Sequence, residues 1–143
     1  MVVKVKVCKV SDVKAPSYAH AGDAGLDLYS AEECVLKPLE RKLISTGIKV
    51  AVPHGYEAQV RPRSGLALNH GISIVNTPGT IDSGYRGVVG VIAINLGQNE
   101  FRIEKNMKIA QMVVNRVESV DIEEVESLDD TSRGERGFGS TGH

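Results

Sequence analysis

The sequence predicts an all-β fold: a jelly-roll-like barrel or sandwich of short strands, with one short helix and a flexible C-terminal tail. Apolar residues repeat with a period of two, as at Val3, Val5 and Val7, whereas an amphipathic helix needs a period of about 3.6. The apolar runs are also short and are separated by turn-forming sequences such as PHG, TPG, DSG and GQN. Many short strands at close spacing are typical of these architectures.

The predicted strands follow one another up to residue 117. A strand at the N-terminus and a glycine-preceded strand in AGLDLYS (24–30) come first. The later apolar runs are Cys34–Lys37, Lys42–Ser45, Ile48–Val52, Tyr56–Arg61, Ile72–Val75, Val88–Asn95, Phe101–Ile103 and Ile109–Val117. One helix of a turn or two is predicted at Ser64–Asn69, with Ser64 as its N-cap because serine is favoured at that position.

Length and charge restrict the class of protein. A chain of 143 residues matches one domain, and 17 basic against 18 acidic residues give a net charge of -1. We therefore expect neither stable nucleic-acid binding nor attraction to an anionic membrane. Cys8 and Cys34 are interpreted as small buried apolar residues of a reducing compartment. No apolar block has signal-peptide or transmembrane length, so we expect a soluble, intracellular protein of the cytoplasm or nucleus.

The composition changes after Val117, which predicts a β core at 1–117 and an acidic linker with a glycine-rich lid at 118–143. From Glu118 to Asp130 there are seven carboxylates and no basic residue. One interpretation is a solvated linker with a frayed terminus. The alternative is a lid for a nucleotide, because the RGERGFGSTG sequence offers an aromatic face and donors for phosphate. These residues are Arg133, Arg136, Phe138, Ser140 and Thr141.

Two motifs in the body could form a matching site. In RPRSGLA (61–67), Arg63 and Ser64 at the start of a helix could hold phosphate, or could merely be a surface arginine and a cap. NTPGTIDSGYRG (76–87) is interpreted as a hairpin with Gly79 and Gly84 at its turns. There, Asp82 is either a turn cap or a carboxylate that takes a proton from water.

Two further polar residues interrupt apolar strands. Asp27 in AGLDLYS requires a partner, either a turn N–H or a hydrated metal. Gln111 in KIAQMVV must hydrogen-bond to backbone or to a ligand if it is buried. The four histidines show no metal-ligand spacing, and no Cys/His cluster indicates zinc.

These five motifs, in this order and spacing, resemble the five motifs of the trimeric dUTP pyrophosphatases. The similarity runs from about residue 20 to the C-terminus and, as a set, is highly specific. It implies a jelly-roll-like homotrimer with active sites shared between chains, which hydrolyses dUTP to dUMP and pyrophosphate. Such an enzyme removes dUTP and supplies dUMP for thymidylate synthesis.

The resemblance also implies a role for each motif residue. Asp82 would activate the water that attacks the α-phosphorus, and Tyr85 would pack beneath the deoxyribose. Asp27 would act indirectly, through water around Mg²⁺, the implied cofactor, which the triphosphate itself would mainly chelate. The other implied substrate-binding residues are Arg63, Ser64, Gly65 and Gln111 at the phosphates, Asn76, Gly79, Thr80 and Ile81 at the uracil, and Arg133, Phe138, Gly139, Ser140 and Thr141 in the closing tail.

Some alternatives stay open on the sequence alone. Arg136 stands where the family commonly has glycine, so either Arg133 or Arg136 could make the main γ-phosphate contact. A dCTP deaminase shares the fold and much of the third motif, but it needs a catalytic glutamate that cannot be placed here. A non-catalytic nucleotide-binding module is the other alternative, and it would bind dUTP without turnover.

Overall fold

The computed structural model describes residues 2–142 and contains ten strands and one helix. The strands are β1 (Lys6–Lys9), β2 (Leu26–Tyr29), β3 (Cys34–Leu36), β4 (Arg41–Ala51), β5 (Tyr56–Arg61), β6 (Ile72–Ile74), β7 (Gly79–Ile81), β8 (Val88–Asn95), β9 (Phe101–Ile103) and β10 (Lys108–Arg116). The helix α1 (Ser64–His70) lies between β5 and β6. The predicted all-β class with one short helix is confirmed.

The strands form two four-stranded sheets and one two-stranded sheet. The first sheet has the order β1-β4-β8-β6, the second β2-β10-β5-β7, and β3 pairs with β9. Every pair is antiparallel. Neighbours along the chain often lie in different sheets, as β4 and β5 do, which gives the jelly-roll-like arrangement of two facing sheets.

The core lies between the two large sheets and follows from strand alternation. In β8, Val89, Val91 and Ala93 are buried, while the residues between them are only partly covered. Because successive side chains point to opposite faces, each strand contributes alternate residues to the core. The largest fully buried apolar side chains are Leu28, Leu36, Ile44, Ile48, Ile103 and Met112.

The runs Lys42–Ser45 and Ile48–Val52, predicted as separate, belong to one strand, β4. Its pairing with β8 shifts register between Ser45 and Lys49, where Gly47 has a φ of 67°. A Cβ at Gly47 would lie 2.9 to 3.0 Å from side-chain atoms of neighbouring loops. Gly47 therefore adopts the conformation that the register shift requires, and β4 continues on both sides of it. The interruption of the apolar pattern at this point does not mark the end of a strand.

The predicted hairpin at 76–87 is wrong, although Gly84 does lie in a turn, at 82–85. Gly79 is not at a turn but begins β7, which pairs with β5 in the second sheet. The flanking strands β6 and β8 pair with each other in the first sheet. The segment between them therefore crosses to the facing sheet, and the Thr77–Pro78 peptide bond within it is cis.

The two cysteines differ from each other. Cys8 is exposed, so its predicted burial is wrong: β1 is an edge strand whose four residues are all exposed. Cys34 is partly buried, and this burial raises the pKa of its thiol. The raised pKa keeps Cys34 in the unreactive thiol form, as expected of a small packing residue.

The segment after β10 forms no strand or helix within the described residues. Val117 N–H donates to the Gly55 carbonyl at 2.9 Å, and from Glu118 to Gly142 every residue is exposed. The division at residue 117 into a core and a lid stays a prediction. Across residues 2–142, no helix is long and apolar enough to span a bilayer.

Candidate active site

The first candidate region is a depression of about 380 Å³ at the start of α1, called here the α1 depression. Adjacent strands bring its residues together, because Gln111 on β10 pairs with Asp27 on β2 and with Arg61 at the end of β5. Five residues predicted from separate motifs line it, and loop 19–25 supplies the remainder. The five are Asp27, Arg63, Ser64, Gly65 and Gln111.

The helix begins one residue earlier than the predicted cap implies. The N-cap is Arg63, with extended dihedrals of -98° and 133°, and no side chain caps the helix. The prediction of Ser64 as N-cap is therefore wrong, because Ser64 is already the first helical residue. Its hydroxyl is not used as a cap, and a Cβ built at Gly65 would meet nothing within 4 Å. Both residues are thus available to a ligand in the α1 depression.

Asp27 is a buried carboxylate accompanied by two cations. Its side chain is 10% exposed, Arg63 Nε lies 3.6 Å from Oδ1, and Lys108 Nζ lies 3.0 Å from Oδ2. Oδ2 accepts no hydrogen bond in the described structure, so the Lys108 contact is electrostatic but poorly aligned. The sequence predicted a turn N–H or a hydrated metal as the partner of Asp27. The structure instead pairs its carboxylate with two cationic side chains.

Gln111 is held by backbone. Its Nε2 donates to the Pro62 carbonyl at 2.9 Å, which orients the amide beside the α1 depression. Its Oε1 packs so closely against Gly25 that a Cβ there would collide with it. An amide nitrogen carries two N–H groups, so the bond to Pro62 leaves one donor for a ligand.

The second candidate region is a narrower depression of about 130 Å³ beside β7, called here the β7 depression. It is lined by five predicted residues and by apolar residues of β5, β6 and β8. Gly79 is buried, and a Cβ there would lie 3.3 Å from Asn76 Nδ2, so glycine preserves the space beside this amide. Tyr85 donates its hydroxyl proton to the Val88 carbonyl at 3.0 Å. The five are Asn76, Gly79, Thr80, Ile81 and Tyr85.

Asp82 follows β7 directly and is exposed. Two hydrogen bonds hold its turn: Tyr85 N–H donates to the Asp82 carbonyl at 3.1 Å, and the Arg86 guanidinium donates to the Ser83 carbonyl at 2.8 Å. The Asp82 carboxylate takes part in neither bond. The alternative in which Asp82 serves as the turn cap therefore has no support, and its carboxylate is available to solvent.

Gly79 and Gln111, one from each depression, lie on opposite faces of the sheet β2-β10-β5-β7. Residues directly opposite each other in antiparallel strands share a face. Gly79 pairs with Val60, whereas Gln111 pairs with Arg61, the next residue of β5. Because consecutive residues of β5 point to opposite faces, Gly79 lies on the opposite face from Gln111, whereas Thr80, opposite Gln59 on the edge strand β7, lies on the face of Gln111. The two depressions share no lining residue.

The tail lines neither depression. Phe138 is completely exposed, and Arg133 and Arg136 donate from their side chains to each other's backbone carbonyls at 2.8 and 3.0 Å. Gly139, Ser140 and Thr141 are exposed too. A single chain thus brings together the predicted residues of each depression but not the tail residues.

Lys108 is a functional candidate that the sequence interpretation missed. It begins β10 and contacts Asp27, yet it lies three positions before Gln111, which places it on the other face of a regular strand. Only the register shift between Lys108 and Ala110 brings it to the same face. The apolar pattern contains no signal of that shift.

No set of three or more metal-ligating side chains forms a cluster within residues 2–142. Asp27 is already accompanied by two cations, which is unsuited to direct ligation of a divalent ion. The charged lining of the α1 depression consists of Asp23, Asp27 and Arg63, which does not form a carboxylate cage for a free metal ion.

A jelly-roll-like fold with one depression that offers an amide and backbone groups, and a second that offers an arginine and uncharged donors at a helix start, fits a nucleotide-binding class of protein. The model of the dUTPase family matches residues 11–142. The chain belongs to the dUTPase family.

Curated relatives and solved structures agree with this membership. The chain is 63% identical over 127 residues to a deoxyuridine 5'-triphosphate nucleotidohydrolase of Clostridium novyi, covering 89% of both chains. It is 58% identical to that of Clostridioides difficile, covering 96% of this chain and 97% of the relative.

Among solved structures, the dUTPase of Staphylococcus bacteriophage 80alpha with dUpNHpp superposes with a TM-score of 0.91. It is 30% identical and covers 98% of this chain and 99% of its own. A dUTPase variant of phage phi11 that coordinates a structural Mg(II) ion superposes with a TM-score of 0.81 at 26% identity, covering 87% and 97%.

The contact between Gly25 and Gln111 leads to a stability prediction. Gly25→Ala should lower the free energy of unfolding by about 1 to 3 kcal/mol, because the new methyl group displaces the Gln111 side chain. In a Gln111→Ala background the same change should cost little. Thermal or urea denaturation of the four proteins measures this coupling, and equal costs in both backgrounds would contradict the contact.

Proposed function

We propose that this chain hydrolyses dUTP to dUMP and pyrophosphate, with Asp82 activating the attacking water. Membership in the dUTPase family and relatives named as dUTP nucleotidohydrolases support the activity. The observation that carries the residue assignment is the location of Asp82. Its carboxylate is free of the turn's hydrogen bonds and directly follows the strand that lines the β7 depression.

The β7 depression is proposed to bind uracil and deoxyribose. Gly79 leaves backbone groups of Gly79–Ile81 and the Asn76 amide accessible, which suits hydrogen bonding to a base edge. Tyr85 is 44% exposed and its hydroxyl is fixed to Val88. A fixed ring beneath the sugar would select deoxyribose by leaving no space for a 2'-hydroxyl.

The α1 depression is proposed to bind the phosphates. Arg63 supplies charge, while Ser64, Gly65 and Gln111 supply uncharged donors. Mg²⁺, when bound to the triphosphate, would neutralise phosphate charge and favour attack on phosphorus. Asp27 would contribute indirectly, through water, because Arg63 and Lys108 already accompany its carboxylate.

Asp82 is proposed as the general base. An exposed carboxylate can hold a water molecule by hydrogen bonding and accept its proton as the oxygen attacks the α-phosphorus. The bond from the α-phosphorus to the bridging oxygen then breaks, and pyrophosphate leaves. Closure of the tail would exclude other water from the reacting group.

A homotrimer with shared sites is proposed because the two depressions of one chain share no lining residue and have Gly79 and Gln111 on opposite sheet faces. A nucleotide that uses both kinds of depression needs one from each of two chains. The outward face of the sheet β1-β4-β8-β6 offers an apolar surface for such packing, with Leu43 opposite Ile92 and 70% exposed. Extended, residues 118–142 could reach about 80 Å, far enough to arrive at a site on another chain.

In this assembly, the tail is proposed to complete the site. Phe138 would stack on the uracil, and Arg133 with Gly139, Ser140 and Thr141 would hold the γ-phosphate. Arg136 donates to the carbonyls of Ser132 and Arg133, which suits it to shaping the tail rather than to binding phosphate. The dCTP deaminase alternative is not favoured, because the family and the relatives named above are dUTPases.

Asp82→Asn separates chemistry from binding. The substitution keeps size and hydrogen bonding but removes the base, so we expect turnover to fall by about 10² to 10⁴. Binding of dUpNHpp with Mg²⁺ should persist in calorimetry. Asp121→Asn, in the exposed linker, is the matched control and should leave pyrophosphate release unchanged. Full activity of Asp82→Asn would refute the role of Asp82 as base, and turnover by neither parent nor control would refute the activity.

Phe138 can be tested by its optical signal and by affinity. The chain has no tryptophan, so Phe138→Trp introduces a single emitter whose fluorescence should change when dUpNHpp binds. Phe138→Ala should weaken binding by about 1 to 3 kcal/mol, the range for stacking on a base. Ile122→Ala, also exposed but in the linker, should bind normally. An unchanged emission together with unchanged affinity of Phe138→Ala would show that the tail does not cover the base.

A further inference from the structure

The irregular start of β10 places a second cation beside Asp27. Pairing with β2 shifts between Lys108 and Ala110, and both Ile109 and Ala110 are buried. Lys108 stands opposite Tyr29, whereas Gln111 stands opposite Asp27. Because residues 27 and 29 of one strand share a face, the bulge turns Lys108 to the face of Asp27 and Gln111.

This cation is closer to Asp27 than Arg63 is. Lys108 Nζ lies 3.0 Å from Oδ2, against 3.6 Å between Arg63 Nε and Oδ1. The carboxylate is nine-tenths buried, and Oδ2 accepts no hydrogen bond in the described structure. A buried carboxylate without a cation is costly, so Asp27 needs at least one of its two partners at all times.

The guanidinium of Arg63, which contacts Asp27, is also proposed to bind phosphate. It lines the α1 depression, and an arginine that binds phosphate uses its planar fork of N–H groups. Only Nε of Arg63 lies near Asp27, at 3.6 Å, so a triphosphate that draws the guanidinium toward itself leaves the Asp27 carboxylate with Lys108. Among the described residues, Lys108 does not line the α1 depression, so phosphate there would not draw it away from Asp27.

We propose that Lys108 is a positioning residue that holds Asp27 when the triphosphate takes Arg63 from it. This inference rests on the proposed hydrolysis of dUTP. Lys108 pairs with Asp27 throughout, and Arg63 exchanges Asp27 for phosphate on binding. Without Lys108, Asp27 would retain Arg63, and triphosphate binding would have to break that pair.

The test compares binding of dUpNHpp with Mg²⁺ by calorimetry in five proteins: the parent, Lys108→Met, Lys108→Arg, Asp27→Asn and the variant that combines Asp27→Asn with Lys108→Met. Lys108→Met should raise Kd about tenfold, since a partly buried charge pair is affected. Lys108→Arg should restore affinity. In an Asp27→Asn background, Lys108→Met should have almost no effect, because no carboxylate remains to capture Arg63. In steady-state kinetics of Lys108→Met, KM for dUTP should rise while kcat changes little.

Lys105→Met is the matched control. Lys105 is 43% exposed against 40% for Lys108, and it too contacts a carboxylate, Asp12 Oδ2, at 3.6 Å. This control should bind dUpNHpp as the parent does. Thermal melting of each variant confirms that a folded protein is being compared.

Three results would overturn the role of Lys108. They are an unchanged Kd in Lys108→Met, no rescue by Lys108→Arg, or an equal loss in the Asp27→Asn background, which would mean direct contact with substrate. Failure of the proposed function is distinguishable from all three, because the parent protein itself would then release no pyrophosphate from dUTP.

Discussion

The alternation of side chains along β5 is the constraint on which the site depends. β5 pairs with β7 on one side and β10 on the other, so its register places both depressions. Val60 belongs with the β7 depression, and Arg61, the next residue, pairs with the strand of the α1 depression. A register slip of one residue would exchange these faces. The proposal that sites are shared between chains rests on this alternation.

The tail differs from this framework of strands in the conformational entropy that its ordering would cost. Ordering a residue costs about 1 to 2 kcal/mol of conformational entropy, and no residue beyond Val117 among those described buries a side chain to offset it. Ligand contacts can supply that energy at the moment of closure. We therefore propose that the strands fix the groups whose positions must be accurate, whereas the tail closes over the site only when nucleotide is bound.

The sequence predicted the fold class and most strands because period-two patterns and turn residues are local signals. Tyr56–Arg61, Val88–Asn95 and Phe101–Ile103 coincide with β5, β8 and β9. The hairpin at 76–87 failed because pairing partners are a tertiary property: β7 joins β5 rather than a neighbour in the chain. Lys108 was missed for a related reason, since a bulge alters which face a side chain occupies without altering the apolar pattern.

Local chemistry singled out several polar residues of the α1 depression, among them Arg63 and Gln111, but their grouping into one site was predicted from the motif resemblance. The structure brings Asp27, Arg63 and Gln111 together, although they are far apart in sequence. The partners of Asp27 could not be predicted, because an ion pair depends on side-chain positions from three segments. The assembly of chains is still harder to predict from the sequence than this ion pair. It determines whether depressions of two chains come together at one nucleotide.

Subunit mixing tests the shared-site account most directly. A chain with Asp82→Asn and a chain ending at Asp130 should each be nearly inactive alone, one lacking the base and the other the tail. Mixed by refolding in equal amounts, they should recover about one quarter of the parent's dUTP hydrolysis, because sites then combine Asp82 and a tail from different chains. Activity no greater than that of the two separate variants, in trimers shown to be mixed, would contradict the account.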